Sequence, residues 1–152
     1  MNVFDEFPKI AKALQQNKIR YALVGGVAMA FHDQPRFTRD IDLLVHPEDF
    51  EKLTEILTHL GYEEKAPPWT FQRTNVTLHR FTRIEDQEYL ILDILVGHEK
   101  KHQTIIAQAL LAESEEGAIK VVRKEDLIWL KEQRHSDQDK VDIKKLRTHE
   151  ED

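Results

Sequence analysis

Hydrophobic residues in the first half of the chain follow two kinds of spacing, which predict helices and strands in turn. Val3–Gln16 repeats apolar side chains every three or four residues, as an amphipathic helix on one face of a sheet does. Two short apolar runs, Ile19–Val24 and Asp40–Val45, have the length and composition of strands. The other elements predicted here are a helix starting at Val27–Phe31, a loop at 32–39, and a helix at Phe50–Leu60 that ends at Gly61.

The second half predicts a central strand followed by a helical C-terminal third. Tyr89–Val96 (YLILDILV) is almost fully apolar and of strand length, so we expect it at the centre of a sheet. The other predicted elements are exposed strands within Thr70–Arg83, a helix over Glu99–Ala112, an edge strand at Gly117–Val122, and helices over Glu125–Gln133 and Asp139–Leu146, the last with Val141 buried. The pattern predicts a single α/β domain over residues 1–147, with 148–152 as a frayed tail.

Length, composition and charge exclude several classes of protein for this chain. The 152 residues, 40% hydrophobic and 33% charged, suffice for one domain with a core. The absence of cysteine excludes disulfides, thiolate nucleophiles and Cys-based zinc sites, and it favours a reducing, cytoplasmic location. No apolar run has the length of a signal peptide or membrane span, so we expect no membrane association. The net charge of −6 argues against binding DNA with the whole surface.

Three acids interrupt the apolar strands. Asp40 and Asp42 are two residues apart, so on a strand their carboxylates share one face, roughly 6.5–7 Å apart along the backbone. Two divalent ions that clamp a phosphoryl group fit between such carboxylates, although pairing with arginine or lysine at a solvated strand end is the alternative. Asp93 lies inside YLILDILV, where an unpaired carboxylate would cost several kcal/mol or more. Asp93 therefore needs a partner, either an arginine or a metal ion shared with the other two acids.

A glycine pair, Gly25-Gly26, follows the first strand. A strand-to-helix turn is enough to explain it, because glycine adopts positive φ freely. The functional alternative is a phosphate site, in which backbone N–H groups at a helix N-terminus face the anion with no side chain in the way. Neither the Walker A pattern nor GxGxxG is present, which excludes the two commonest phosphate loops.

One further motif points to different chemistry. His98–His102 reads HEKKH and formally matches HExxH, the zinc-binding helix of metalloproteases, with Glu99 as general base. Two lysines inside a buried site would be unusual, and no further ligand follows at metzincin spacing. A zinc hydrolase is therefore a distant alternative.

Taken together, three stretches resemble the nucleotidyltransferase superfamily, the DNA polymerase β-like group that includes minimal nucleotidyltransferases and AbiEii-type toxins. They are VGGVAMAFHDQPRFTRDIDLLV, the later apolar strand with its own acid, and DLIWLKEQR…DKVDIKKL. The family pattern of two glycines, acid–apolar–acid and a third acid corresponds to Gly25, Gly26, Asp40, Asp42 and Asp93. The resemblance implies a mixed central β-sheet flanked by helices, two Mg²⁺ ions held by the three acids, and a nucleoside triphosphate whose phosphates lie against the glycine pair.

The same resemblance implies additional nucleotide-binding residues. Arg36, Thr38 and Arg39 lie in the loop before the acid-bearing strand and are candidates for phosphate contacts, since arginine binds phosphate in a bidentate manner. Lys131 and Arg134 fall on the AbiEii-like C-terminal motif and could reach the triphosphate or an RNA acceptor across the cleft. For both sets the alternative is ion pairing with nearby acids.

The predicted function is Mg²⁺-dependent transfer of a nucleoside monophosphate from a nucleoside triphosphate to an unidentified hydroxyl-bearing acceptor. The resemblance leaves RNA, a protein side chain, an antibiotic or another small hydroxyl compound open as acceptor, and a toxin–antitoxin partner protein as candidate partner. The alternative of a different class is a catalytically silent nucleotide-binding or partner-binding module of the same fold. The presence of all three acids favours the enzyme.

Overall fold

The computed structural model describes residues 2–32, 40–71, 73–114 and 117–148. The helices of this part are α1 (Val3–Gln16), α2 (Gly25–Phe31), α3 (Phe50–His59), α4 (Lys100–Ala107), α5 (Lys124–Arg134) and α6 (Asp137–Thr148). The strands are β1 (Tyr21–Val24), β2 (Asp40–Val45), β3 (Glu63–Glu64), β4 (Trp69–Phe71), β5 (Val76–Glu85), β6 (Glu88–Gly97), β7 (Leu110–Ser114) and β8 (Gly117–Val121). A single 3₁₀ turn at Pro47–Asp49 leads into α3.

Within the described residues, the eight strands form one mixed sheet. Its order is β3-β5-β6-β2-β1-β8-β7, and β4 pairs with β5 beside this path. β2 runs parallel to β6 and β1 parallel to β8, whereas the remaining pairs are antiparallel. The predicted single α/β domain with a mixed sheet flanked by helices is therefore confirmed, and β6 is a central strand as expected.

One continuous cluster of buried apolar side chains joins all six helices to the central strands. On α1, Phe7 packs edge-on against Tyr21 of β1, with 6.2 Å between the ring centroids. Asn2 caps this helix by accepting a hydrogen bond from the backbone N–H of Phe4 at 2.7 Å. The predicted bounds of this amphipathic helix are confirmed. No helix in the described part of the chain is long and apolar enough to cross a bilayer.

Two predictions around β7 are wrong. The helix predicted over Glu99–Ala112 ends at Ala107, and the apolar residues after it form β7, in which Leu110 is 53% exposed. β8 is consequently an internal strand between β1 and β7 rather than the expected edge strand. A short apolar run is compatible with either helix or strand, and here pairing with β8, a non-local contact, decides the outcome.

Candidate functional site

The three acids predicted from the sequence meet on one face of the sheet. Asp42 of β2 is the direct partner of Asp93 on the parallel strand β6. Asp40 lies two residues earlier on β2 and therefore projects to the same face. Because neighbouring strands are about 4.8 Å apart, this register makes the three acids neighbours on that face.

The electrostatics of this cluster centre on Asp42. The pKa of Asp42 is raised from 3.8 to about 7, mainly by burial and then by the negative charges of Asp93 and Asp40. Two cations of α5, Arg134 and Lys131, act in the opposite direction without cancelling the effect. The environment of Asp42 is thus short of positive charge.

Asp93 has found one of the two partners that the sequence left open, an arginine. Arg80 faces it directly across the β5–β6 pair. Its guanidinium donates from Nε to Oδ1 at 2.8 Å and from Nη2 to Oδ2 at 3.0 Å. The hydrogen bond to Asp93 is the main reason why the pKa of Arg80 is raised. The structure therefore explains how a carboxylate can be accommodated in a buried strand.

The donor set suits a divalent ion in charge and chemistry, although its geometry is not preformed. Among residues 2–32, 40–71, 73–114 and 117–148, no three His, Asp or Glu side chains converge as a ready metal-binding group. Carboxylate oxygens are nonetheless the ligands that Mg²⁺ prefers. Next to burial, the raised pKa of Asp42 is caused by repulsion from the neighbouring carboxylates, and a divalent cation would relieve this repulsion. Asp40, Asp42 and Asp93 therefore fit a metal ion, provided that Asp93 is released from Arg80.

Gly25 brings the start of α2 directly against the acids. Its φ is +70°, and a Cβ atom at this position would lie 2.0 Å from Oδ2 of Asp42. No larger residue could occupy this position without displacing the carboxylate. The prediction that the helix starts at Val27 is wrong by two residues, because Gly25 and Gly26 already belong to the first turn of α2.

Three predicted phosphate contacts lie outside the described residues, namely Arg36, Thr38 and Arg39 just before β2. Their nucleotide-binding role stays a prediction.

The two predicted C-terminal cations lie beside Asp42 and Gly25, and together they line one cleft. Lys131 is only 3% exposed, and its Nζ donates to Oδ2 of Asp142 at 2.9 Å. Arg134 donates from Nε and Nη2 to Asp139 at 2.8 and 2.7 Å. Both cations therefore form ion pairs with α6, as the alternative interpretation predicted. They also lie next to Asp42 in the cleft.

The acids of α6 are the part of the site that the sequence analysis missed. Asp139 and Asp142 are fully buried, whereas Val141, which was expected inside, is 48% exposed. Burial alone would raise the pKa of Asp139, but hydrogen bonds from Arg134 and Ser136 outweigh it and lower the pKa to about 2. The signal was present, since residues 139, 142, 143 and 146 follow the spacing of one helix face.

The cleft beside Asp42 and Gly25 lies between the sheet and α5, and most of its lining is apolar. Its empty space is about 600 Å³, including the solvent at its mouth. Its apolar lining comes from five strands and α5, namely Val24, Leu44, Phe71, Val76, Leu95, Leu127, Trp129 and Leu130. Such a cleft can bury an organic group while a phosphate lies beside Gly25.

The HEKKH stretch is not a zinc-binding helix. α4 begins only at Lys100, so His98 and Glu99 precede the helix and cannot share a helical face with His102. Glu99 is instead the N-cap, and Nδ1 of His102 accepts from its backbone N–H at 3.1 Å in a capping box. His98 contacts Thr77 at 2.9 Å. The zinc hydrolase alternative is therefore wrong in its structural premise.

Solved structures with the same fold include two antibiotic-modifying enzymes. A lincomycin-bound lincosamide antibiotic adenylyltransferase, LnuA, is 19% identical with a TM-score of 0.59, and the match covers 94% of this chain and 95% of that one. A protein of Thermotoga maritima assigned as a nucleotidyltransferase is 15% identical with a TM-score of 0.58, over 95% and 88% of the two chains. ANT(2")-Ia with adenylyl-2"-tobramycin is 21% identical with a TM-score of 0.50, over 83% and 72%.

The sequence itself matches a family model over most of its length. No curated protein matches the chain significantly. The model described as "Uncharacterised nucleotidyltransferase" matches residues 1–136, which include the glycine pair, all three acids, Lys131 and Arg134. The superfamily expected from the sequence is thereby confirmed, and the chain belongs to this family of nucleotidyltransferases.

Proposed function

We propose that this chain transfers a nucleoside monophosphate from a nucleoside triphosphate to the hydroxyl group of a small-molecule acceptor, with Mg²⁺ held by Asp40, Asp42 and Asp93. The observation that supports this most directly is the register of β2 and β6, which sets Asp42 beside Asp93 against the side-chain-free Gly25. Family membership supports the reaction class. Bound Mg²⁺ would supply charge neutralisation and polarise the reacting phosphate.

The remaining residues would bind and orient the substrates. The backbone of Gly25 and Gly26 would lie against the phosphates. Arg36, Thr38 and Arg39, in the stretch just before β2, would make further phosphate contacts. Asp139 takes only Nε and Nη2 of Arg134, so this arginine can keep its pair and still donate from Nη1. The acceptor oxygen forms a bond to the α-phosphorus and loses its proton, while the bond to pyrophosphate breaks.

A small acceptor is favoured by the lining of the cleft. Most of this lining is apolar, with a few polar groups at the end beside Asp42, as is typical of small-molecule sites. LnuA, which has the same fold over nearly its full length, is described with lincomycin bound. An RNA or protein acceptor would need a surface beyond this cleft, and so would a toxin–antitoxin partner protein.

The test is a binding and transfer assay with the metal-stripped protein. Calorimetric titration with non-hydrolysable analogues of the four nucleoside triphosphates, with and without Mg²⁺, should give Mg²⁺-dependent binding. Asp40→Asn/Asp42→Asn should abolish it, whereas Asp86→Asn should not, because Asp86 lies in the exposed β5–β6 turn and asparagine tolerates its φ of +57°. Label from an α-³²P nucleotide should then pass to a member of a panel of small hydroxyl compounds, RNA and proteins. Absence of nucleotide binding would refute the proposal.

One observation favours the second candidate, a catalytically silent binding module. Arg80 occupies both oxygens of Asp93, and a permanent pair would leave this acid unable to bind metal. Nucleotide binding without any Mg²⁺ dependence and without transfer would support the silent module.

A further inference from the structure

Arg80 occupies the position through which a divalent ion would reach the third acid. Its guanidinium binds both carboxylate oxygens of Asp93, at 2.8 and 3.0 Å, from the neighbouring strand β5. The Asp93 side chain is only 6% exposed. A bidentate pair of this kind uses the same two oxygens with which a carboxylate would bind a metal ion. A metal ion that binds Asp93 through both of these oxygens therefore competes directly with Arg80.

The surroundings of Arg80 allow such a movement. The Arg80 side chain is 40% exposed, so water can solvate the guanidinium once it leaves Asp93. The half-exposed ring of Trp69 lies on the adjacent strand β4, with its centroid 6.0 Å from the guanidinium carbon. An aromatic face at this distance attracts a cation. Arg80 already contacts this ring while it binds Asp93, so it keeps one partner when the carboxylate is taken by a metal ion.

We propose that Arg80 is the resident counter-ion of Asp93 and that a divalent metal ion binds this acid by displacing Arg80 toward Trp69. The proposal rests on the proposed function, because it concerns the same metal site. The ion pair places a positive charge beside Asp93 in the buried strand before metal arrives. Its rupture lowers the affinity for metal, since part of the binding free energy must break the pair. Arg80 is accordingly a positioning residue that acts through Asp93.

The experiment measures Mn²⁺ binding to the metal-stripped full chain by calorimetry and by electron paramagnetic resonance. Arg80→Gln should bind Mn²⁺ about tenfold more tightly than the wild type, because no bidentate pair of charge-assisted hydrogen bonds has to be broken. Arg80→Gln/Asp93→Asn should lose this gain. Arg83→Gln is the matched control on the same strand, where Arg83 binds Glu6 and Glu85, and should behave as the wild type.

Two more variants keep the proposal testable if Arg80→Gln folds poorly. Arg80→Lys retains the charge without the bidentate geometry and should give an intermediate Mn²⁺ affinity. Trp69→Leu should weaken Mn²⁺ binding about two- to fivefold, because the released guanidinium loses its ring. Wild-type affinity in the Arg80 variants would overturn the proposal, and so would a gain that persists with Asp93→Asn.

The result also separates this inference from the proposed function. If the wild type transfers nucleotide and Arg80→Gln shows no gain in Mn²⁺ affinity, only the counter-ion role of Arg80 fails. If no variant binds Mn²⁺ and the wild type transfers nothing, the metal-dependent function fails with it.

Discussion

Replacement of Asp42 by asparagine should stabilise the metal-free protein at alkaline pH while it abolishes metal-dependent nucleotide binding. In the folded chain the pKa of Asp42 is raised to about 7, mainly by burial and then by Asp93 and Asp40, against 3.8 for an unperturbed group. Between these values the folded state holds a proton that the unfolded state has released. The free energy of unfolding therefore falls as the pH rises from about 4 to about 7.

The expected size follows from the two pKa values. At about 1.4 kcal/mol per tenfold change in proton affinity, the full difference corresponds to roughly 4 kcal/mol, reached above about pH 8. At about pH 5 a part of this difference is already present in the wild type. The Asp42 side chain is also only partly buried, so solvent screening reduces the effect. The stability advantage of Asp42→Asn should thus grow by about 2 to 3 kcal/mol between about pH 5 and about pH 8.

Urea unfolding in the presence of a chelator, at about pH 5 and about pH 8, measures this difference directly. Asp49→Asn is a control of opposite sign: burial would raise the pKa of Asp49, but hydrogen bonds from Arg20 outweigh it and lower the pKa. That variant should lose about the same stability at both pH values, because the pKa of Asp49 lies below both of them in the folded and in the unfolded state. Mg²⁺ should stabilise the wild type and leave Asp42→Asn unchanged. An advantage of Asp42→Asn that is equal at both pH values would refute the electrostatic argument.

Three further predictions concern residues around the acids. Gly25→Ala should lower the free energy of unfolding by about 1–3 kcal/mol and abolish nucleotide binding, because its Cβ would lie 2.0 Å from a carboxylate oxygen. Gly117→Ala is the control, because no atom lies within 4 Å of its Cβ position and φ is +128°. It should cost only backbone strain and keep nucleotide binding. Arg134→Gln should lower the free energy of unfolding by about 2 kcal/mol near neutral pH, because the pKa of Asp139 would rise from about 2. Urea unfolding measures this difference between the variant and the wild type. A difference that does not shrink as the pH falls from about 4 to about 2 would contradict the argument. His102→Ala should cost about 1 kcal/mol in thermal unfolding through the lost capping box, and metal analysis should find no zinc in either protein.

The parts of the fold that were predicted correctly are those in which local pattern and tertiary contacts agree. The helix at Val3–Gln16 and the strand at Asp40–Val45 have the predicted bounds, because the buried face of each is marked by its own spacing. β7 fails this condition, since Leu110 and its neighbours are apolar without a period that distinguishes helix from strand. Their conformation is decided by pairing with β8, which lies later in the chain.

For the candidate site, the sequence predicted which of the acids and glycines lie near one another, but not their contacts. The three acids and the glycine pair could be identified from spacing and resemblance, and the structure brings Asp40, Asp42 and Asp93 together with Gly25. The sequence left the partner of Asp93 open between an arginine and a metal. Arg80 could be identified only from the register of β5 and β6, a non-local quantity set by the intervening turn.

The cations around the acids divide into fixed and exchangeable ones, and this division determines which can respond to a metal. Lys131 and Arg134 bind Asp142 and Asp139, two fully buried acids, so moving either cation away would take a charged partner from a buried carboxylate, which is costly. They therefore act on Asp42 as a constant positive field. Arg80 holds Asp93 from a position that water and the ring of Trp69 can reach, so its release costs less. The rearrangement that accompanies metal binding should consequently fall on Arg80, while α5 and α6 keep the cleft in place.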